Sequence, residues 1–256
     1  MIKGILFDKD GTLIHFDKLW IKMVNELVAD LMTEVGRESD QSLKIDMLAS
    51  VGVTNQSVDG KGPLAGGTSL DVAEAFQPFL SMEIPRLHEW IKNKQSTFVA
   101  DHLDLIEAAG DITGLIASLK EKDIIIGVVT ADDSETTKLC LQKLGITDDI
   151  QFVAAADRYE AKPSPESFQV FCDTFDLQPE EVVMVGDTVV DLQFAKNSHA
   201  GYGIGVLSGT GSESELAPLA DILISKIDDL VDEKSQFVWQ RSINGKRGVD
   251  NGIDHM

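Results

Sequence analysis

Basic residues are scarce in this 256-residue chain, where 22 lysines and arginines stand against 43 aspartates and glutamates. The resulting formal net charge of −21 repels nucleic acid and anionic membrane surfaces, so we expect neither as a partner. The same field repels anionic small molecules. A site for such a ligand therefore needs a local group of cations, backbone N–H groups or a metal ion.

Cysteine and long apolar runs are also nearly absent. Cys140 and Cys172 are the only cysteines, and their spacing is not that of a CxxC pair or a metal site, so two reduced thiols are expected. No apolar run approaches the roughly 18 residues that span a membrane. The first 13 residues place charges directly after a short apolar run, unlike a signal peptide. These absences predict a cytoplasmic protein without a membrane segment.

Short β-branched runs alternate with helical periodicity through most of the chain. Such runs occupy residues 2–7, 124–129, 152–155, 182–185, 202–206 and 222–224. Helical spacing is found at residues 113–122, 134–144, 165–175 and 189–197, with a short helix at 227–231. This alternation predicts an α/β fold, a Rossmann-like parallel sheet with helices on both faces.

A helical block interrupts that alternation after the first run. Helical spacing covers residues 17–35, 41–50, 69–82 and 84–92, and a glycine-rich loop lies at residues 60–69. We therefore predict a core formed by residues 1–15 and 99–240, with an inserted all-helical domain at residues 16–98. Residues 241–256 are polar and lack apolar periodicity, which predicts a flexible tail.

Polar segments follow four of the predicted strands, and open α/β sheets bind ligands at the carboxyl ends of their strands. After the first strand, Asp8 and Asp10 are two residues apart on an extended backbone, so their carboxylates emerge on the same side. One carboxylate can attack phosphorus to give an acyl phosphate, while the other transfers the leaving-group proton. Gly11 allows a sharp turn there, ahead of Thr12.

The other three segments supply further groups that can bind a phosphoryl ligand. Thr130 with the Ala131 N–H offers donors, Lys162 offers positive charge, and Asp187 and Asp191 lie one helical turn apart. Taken singly, each segment is equally typical of a turn, a helix cap or a surface position. Their common place at strand ends favours one shared site, where carboxylates can bind Mg²⁺.

The chain resembles the haloacid dehalogenase superfamily over residues 1 to about 230. The resemblance is carried by four segments in the family's order: Asp8-Lys9-Asp10-Gly11-Thr12-Leu13, Thr130, Lys162-Pro163, and Gly186-Asp187 with Asp191. The helical block resembles the C1 cap of phosphoglycolate phosphatase-like members. Lys9 departs from the family, which often has an apolar residue there, and Ala131 stands where Asn is common.

The resemblance implies a role for each matched residue. Asp8 is expected to be the nucleophile and a Mg²⁺ ligand. Asp10 is expected to act as general acid and then base, with its backbone carbonyl on the metal. The remaining roles are phosphate binding by Thr130, Ala131 and Lys162, metal binding by Asp187, and support of the site by Gly11, Thr12 and Asp191.

The resemblance therefore implies a Mg²⁺-dependent phosphatase for a small phosphorylated metabolite, with 2-phosphoglycolate the first substrate to test. Two alternatives stay open: a phosphomutase of the β-phosphoglucomutase type, and a non-catalytic binding or regulatory protein. Thr12 favours hydrolysis, because the mutases often carry Val there. Whether loop 60–69 recognises the substrate or only connects helices is open too, and the sequence leaves the oligomeric state unknown.

Overall fold

The protein is described by a computed structural model over residues 1–55, 57–232 and 234–245. Its strands are β1 (Gly4–Phe7), β2 (Val53–Thr54), β3 (Ser57–Val58), β4 (Ile125–Val129), β5 (Phe152–Ala154), β6 (Val182–Gly186), β7 (Tyr202–Val206) and β8 (Ile222–Ile224). Its α-helices are α1 (Phe16–Glu34), α2 (Gln41–Ser50), α3 (Pro63–Gly66), α4 (Ser69–Phe76), α5 (Ile84–Asp101), α6 (Ile112–Lys120), α7 (Ser134–Leu144), α8 (Glu166–Phe175), α9 (Val189–Asn197), α10 (Glu213–Leu216) and α11 (Val238–Gly245).

Six strands form one parallel sheet in the order β5-β4-β1-β6-β7-β8, which confirms the predicted Rossmann-like fold. The strands are buried on both faces, as their unbroken apolar runs indicate. Ile5 and Phe7 pack into the apolar cluster on one face, and Leu6 packs into the cluster on the other. Because β1 pairs with β4 and β6, the segments after these three strands end side by side.

Helices α1 to α5 form the insert, and their apolar faces share a cluster of their own. Cys140 of α7 joins that cluster, so the insert packs on the core. The insert also contains an antiparallel pair, β2 and β3, where the sequence predicted only helices. Two-residue strands are too short for periodicity to reveal them. Beside them Gly52 and Gly62 approach closely, since a Cβ on Gly52 would lie 3.0 Å from the Cα of Gly62.

The boundaries of several helices differ from the prediction. Helix α5 continues to Asp101, beyond the predicted end at residue 92 and the predicted domain boundary at 98. Helix α4 ends at Phe76 and residues 77–79 form a 3₁₀ helix inside the stretch 69–82 that was predicted as one helix, while the short helix predicted at 227–231 is a 3₁₀ helix at residues 227–230. The predicted tail begins inside α11, which ends at Gly245, and residues 246–256 lie outside the described residues.

No helix in the described part of the chain has both the length and the apolar character that crossing a membrane requires.

Candidate active site

Three buried carboxylates from two neighbouring strand ends meet at the carboxyl edge of the sheet. Asp8 follows β1, Asp187 follows β6, and Asp191 lies in the first turn of α9. One oxygen from each lies within 4.8 Å of the other two. The sequence predicted that these residues share a site, and the structure brings them together.

Lys162 bridges two of these carboxylates. Its Nζ lies 2.6 Å from Asp8 Oδ1 and 2.6 Å from Asp191 Oδ1, and its side chain is only 6% exposed. Three carboxylates against one ammonium group leave an excess of buried negative charge. Burial, partly opposed by Lys162, raises the pKa of Asp8 well above its ordinary value.

Asp187 carries the same excess of charge. Burial, followed by repulsion from Asp191, raises its pKa to about 7, although hydrogen bonds from Thr210 oppose that rise. A buried group of carboxylates that is under-neutralised in this way fits a hard divalent cation, which prefers oxygen ligands. Asp8, Asp187 and Asp191 could therefore hold a divalent cation between them.

Asp187 is held by a loop that the sequence analysis did not single out. Its Oδ2 accepts hydrogen bonds from the Thr210 N–H at 2.7 Å and the Thr210 hydroxyl at 3.0 Å. A Cβ on Gly209 would lie 2.1 Å from the same oxygen, and one on Gly11 would lie 2.3 Å from it, so only glycine fits at either place. These contacts leave Oδ1, which lies 3.4 Å from the Thr12 hydroxyl, as the less engaged oxygen. The glycine-rich segment after β7 was the available sequence signal.

Asp191 has both oxygens engaged by the protein. Oδ1 accepts from Lys162, and Oδ2 accepts from the N–H and hydroxyl of Thr188 at 3.0 and 2.7 Å, closing a capping box at the start of α9. The carboxylate therefore orients Lys162 and fixes the helix. Asp8 differs, because its Oδ2 has no hydrogen bond among the described residues.

Asp10 belongs to a second charged group, centred on Lys9. Asp10 Oδ2 lies 2.6 Å from Lys9 Nζ, and its Oδ1 accepts from the Trp20 indole at 2.5 Å. Lys9 is fully buried and also pairs with Asp132 at 2.8 Å and approaches Cys140 Sγ at 3.7 Å. The sequence analysis gave no role to these partners of Asp10.

Thr130 and Ala131 directly follow β4, which pairs with β1, as predicted. The Thr130 N–H donates to Ala154 O at 2.9 Å, and its hydroxyl accepts from the Asp132 N–H at 3.2 Å. The hydroxyl is therefore a local turn partner here, and phosphate binding by Thr130 stays a prediction. Ala131 lines the cavity described next.

A cavity of about 30 Å³ lies between the core and the insert. Its core side is formed by Asp10, Ala131 and Asp132. Its insert side comes from α1, α4, α5 and loop 60–69, six of whose residues line it: Pro63, Leu64, Ala65, Gly67, Thr68 and Ser69. The loop also contacts the core through an ion pair of 2.9 Å between Lys61 and Glu215. By this measure the cavity holds about two waters.

The chain is similar to known proteins in sequence. Residues 2–199 match the family model described as haloacid dehalogenase-like hydrolase. Over 233 residues the chain is 28% identical to the pyrophosphatase PpaX of Anoxybacillus flavithermus, covering 90% of this chain and 95% of that protein.

Solved structures share the fold. CbbY from Rhodobacter sphaeroides, crystallised with phosphate, superposes with a TM-score of 0.66 at 21% identity, covering 92% of this chain and 99% of that one. The β-phosphoglucomutase of Clostridium difficile gives 0.67 at 18% identity, covering 98% and 100%. At these identities the likeness concerns the fold alone.

Proposed function

Because the chain belongs to the haloacid dehalogenase-like hydrolases, we propose that it is a Mg²⁺-dependent phosphatase that hydrolyses a small phosphate monoester through a phosphoaspartate on Asp8. The observation that carries the proposal is the group formed by Lys162 with Asp8, Asp187 and Asp191. A phosphatase site needs a nucleophile, positive charge beside it and a place for a cation. This group offers all three.

Asp8 Oδ2 is the attacking atom in this proposal. Lys162 holds Oδ1, so the free oxygen can approach phosphorus while the ammonium group neutralises charge on the phosphoryl oxygens. Asp187, Asp8 and the Asp10 carbonyl would hold Mg²⁺, which supplies further neutralisation of the phosphoryl group when bound. Asp191 keeps Lys162 aimed at Asp8. Thr130 and the Ala131 N–H complete the proposed phosphate contacts.

Asp10 is the proposed proton donor and acceptor. The Asp10 carboxyl group lines the core side of the cavity, and the insert forms the opposite side. A leaving group bound in the cavity would therefore lie close to Asp10. Asp10 would protonate the departing alcohol and then deprotonate the water that cleaves the acyl phosphate.

The insert acts as a cap in this proposal. Since the cavity holds about two waters, substrate entry requires the insert to move away from the core. Its return excludes bulk water during the first half-reaction. We keep the predicted division of the chain, with residues 16–98 as cap, and extend the cap helix to Asp101.

The identity of the substrate stays a prediction. In this proposal Asp8 contacts only the phosphoryl group, so the cavity that binds the leaving group determines which ester is hydrolysed. 2-Phosphoglycolate is the ester expected from the sequence. Pyrophosphate is the substrate that the name of the PpaX relative suggests. A phosphomutase would share the Asp8 group but would transfer phosphate back to a sugar without releasing it.

Release of inorganic phosphate from p-nitrophenyl phosphate tests the proposal. We expect turnover that needs added Mg²⁺ and that falls by at least about 10³-fold in Asp8→Asn. The variant should keep its circular dichroism spectrum, because amide and carboxylate have the same shape. Turnover by Asp8→Asn close to that of the parent would remove Asp8 as the nucleophile. Absence of turnover by the parent across a panel of phosphate esters with Mg²⁺ would favour a binding protein.

A further inference from the structure

Gln95 is a largely buried residue whose side-chain amide has no hydrogen-bond partner in the described part of the chain. It lies on α5, is 8% exposed and lines the cavity that also contains Asp10. No hydrogen bond of its side chain is found within residues 1–55, 57–232 and 234–245. The amide nitrogen and oxygen are not among the fully buried side-chain atoms that lack a partner, so they open on the cavity and are accessible to water there. A polar group of a bound ligand can take the place of that water.

The other polar side chains on the cavity wall already have partners. Asp10 and Asp132 are paired with Lys9, the Thr68 hydroxyl closes a capping box with Asp71, and the Ser69 hydroxyl bonds to His88 at 2.9 Å. Gln95 is therefore the polar group with the most hydrogen-bonding capacity left for a ligand.

The cavity wall offers no cation to an anionic leaving group. Lysine, arginine and histidine are absent from the described residues that line it. Lys9 lies behind the wall, fully buried, and its charge is already shared by Asp10 and Asp132. A second anionic group on the substrate would lose its hydration there without gaining a counter-ion.

The rest of the wall is apolar. It consists mainly of Phe16, Trp20, Pro63, Leu64, Ala65 and Val72. Such a wall suits carbon atoms of a leaving group and leaves a single polar contact to decide orientation.

We propose that the leaving group is an uncharged alcohol with a further hydroxyl or carbonyl group, and that Gln95 is the specificity-determining residue that hydrogen-bonds it. The inference rests on the proposed phosphatase function and narrows its substrate class. It separates this chain from enzymes for pyrophosphate, bisphosphates and 2-phosphoglycolate, whose leaving groups are anionic. The amide can donate to an oxygen and accept from a hydroxyl, so either group is recognised.

Two matched pairs of substrates test whether the leaving group must be uncharged. 2-Hydroxyethyl phosphate and 2-phosphoglycolate differ only by a hydroxymethyl group in place of a carboxylate. Glycerol 3-phosphate and 3-phosphoglycerate form a second such pair. With Mg²⁺ present we expect kcat/KM to favour the uncharged member of each pair by about 10²-fold or more, because a carboxylate in this cavity loses its hydration without gaining a counter-ion. Pyrophosphate should be as poor as the anionic members.

Gln95→Leu tests recognition by the amide. We expect about a tenfold rise in KM for 2-hydroxyethyl phosphate, as for the loss of one hydrogen bond, and little change for ethyl phosphate, which has no second polar group. Gln95→Asn, which keeps the amide, should recover part of the loss. Gln169→Leu on the exposed face of α8 is the matched control and should leave KM for both substrates unchanged.

The outcomes separate the two proposals. Equal or faster hydrolysis of 2-phosphoglycolate, 3-phosphoglycerate or pyrophosphate overturns the inference and leaves the phosphatase function intact. An equal loss on ethyl and 2-hydroxyethyl phosphate in Gln95→Leu overturns the role of Gln95. No phosphate release from any ester, p-nitrophenyl phosphate included, overturns both.

Discussion

Two buried lysines, Lys162 and Lys9, each bridge a pair of aspartates at the same edge of the sheet, yet their surroundings differ. Lys162 joins Asp8 to Asp191 and has Asp187 beside it, so its group holds three carboxylates. Lys9 joins Asp10 to Asp132 and is covered by Trp20, with its amine 5.4 Å from the ring centroid. The first group has two more carboxylates than ammonium ions, whereas the second has only one more and encloses its lysine completely.

A buried lysine that bridges two carboxylates therefore does not by itself indicate where the nucleophile and the metal site lie. What distinguishes the Lys162 group is the surplus of acid and the carboxylate oxygen left free on Asp8. In the Lys9 group the ammonium ion balances most of the charge, and burial raises the pKa of Asp132 to about 7 despite it. We therefore expect loss of Lys162 to affect turnover most and loss of Lys9 to affect folding most.

Replacing Lys9 tests the Lys9 group and should have the largest effect, which is on stability. Lys9→Met leaves two buried carboxylates without their counter-ion, so the free energy of unfolding should fall by about 3–5 kcal/mol. Urea denaturation at pH 8 measures it. Lys3→Met, which removes an exposed lysine paired with Glu181, is the control and should cost less than about 1 kcal/mol. If the free energy of unfolding falls no further in Lys9→Met than in Lys3→Met, the Lys9 group does not stabilise the fold.

Replacing Lys162 tests the Lys162 group. Lys162→Met should lower kcat by about 10²–10³-fold, as does removal of one charge-stabilising donor from a catalytic site. Its loss of stability should be largely reversed by Mg²⁺, because a cation can neutralise the three carboxylates that remain. Mg²⁺ should not rescue Lys9→Met. Rescue of both variants, or of neither, would break the distinction between the two groups.

The effect of pH on stabilisation by Mg²⁺ also distinguishes the Lys162 group from the Lys9 group. The pKa of Asp187 in the folded protein, about 7, lies above its ordinary value of 3.8, so this carboxyl stabilises the metal-free fold below pH 4 and the benefit is lost as pH rises through 7. Mg²⁺ needs the ionised form. Millimolar Mg²⁺ should therefore raise the melting temperature by about 2–4 °C at pH 8 and hardly at pH 5.

Asp187→Asn is the control for that experiment. It removes a ligand without changing the size of the side chain, so the Mg²⁺ shift at pH 8 should shrink. A shift that is the same at pH 5 and pH 8 in the parent would speak against metal binding at these carboxylates.

Part of the Lys162 group could be predicted because Asp8 and Asp187 directly follow apolar runs that are identifiable as strands, and parallel strands bring their carboxyl ends together. Lys162 lies in the loop after β5 and Asp191 in α9, so their place in the group followed from the motif order and not from a strand end. The Lys9 group could not be predicted in the same way. A lysine after a strand is typical of the surface, and its partners Asp132 and Cys140 are more than 120 residues away in the sequence.

Short or polar elements were missed for a related reason. Gln95 lies three residues past the predicted end of its helix, where Lys92, Asn93 and Lys94 hide the apolar periodicity. The two-residue strands β2 and β3 and the short helix α11 carry too few apolar residues to produce a pattern. Thr210 lies in a loop, and only its contact with Asp187 gives it a role.

The hydrogen bond from Trp20 to Asp10 gives the molecule an internal optical probe. Trp20 belongs to α1 of the insert and Asp10 to the core, so separation of the two parts must break this bond and expose an indole that is now 3% accessible. Emission from an indole shifts to the red when water reaches it. With Trp90 and Trp239 replaced by phenylalanine, stopped-flow fluorescence would follow opening and closing of the insert during a single turnover without any added label.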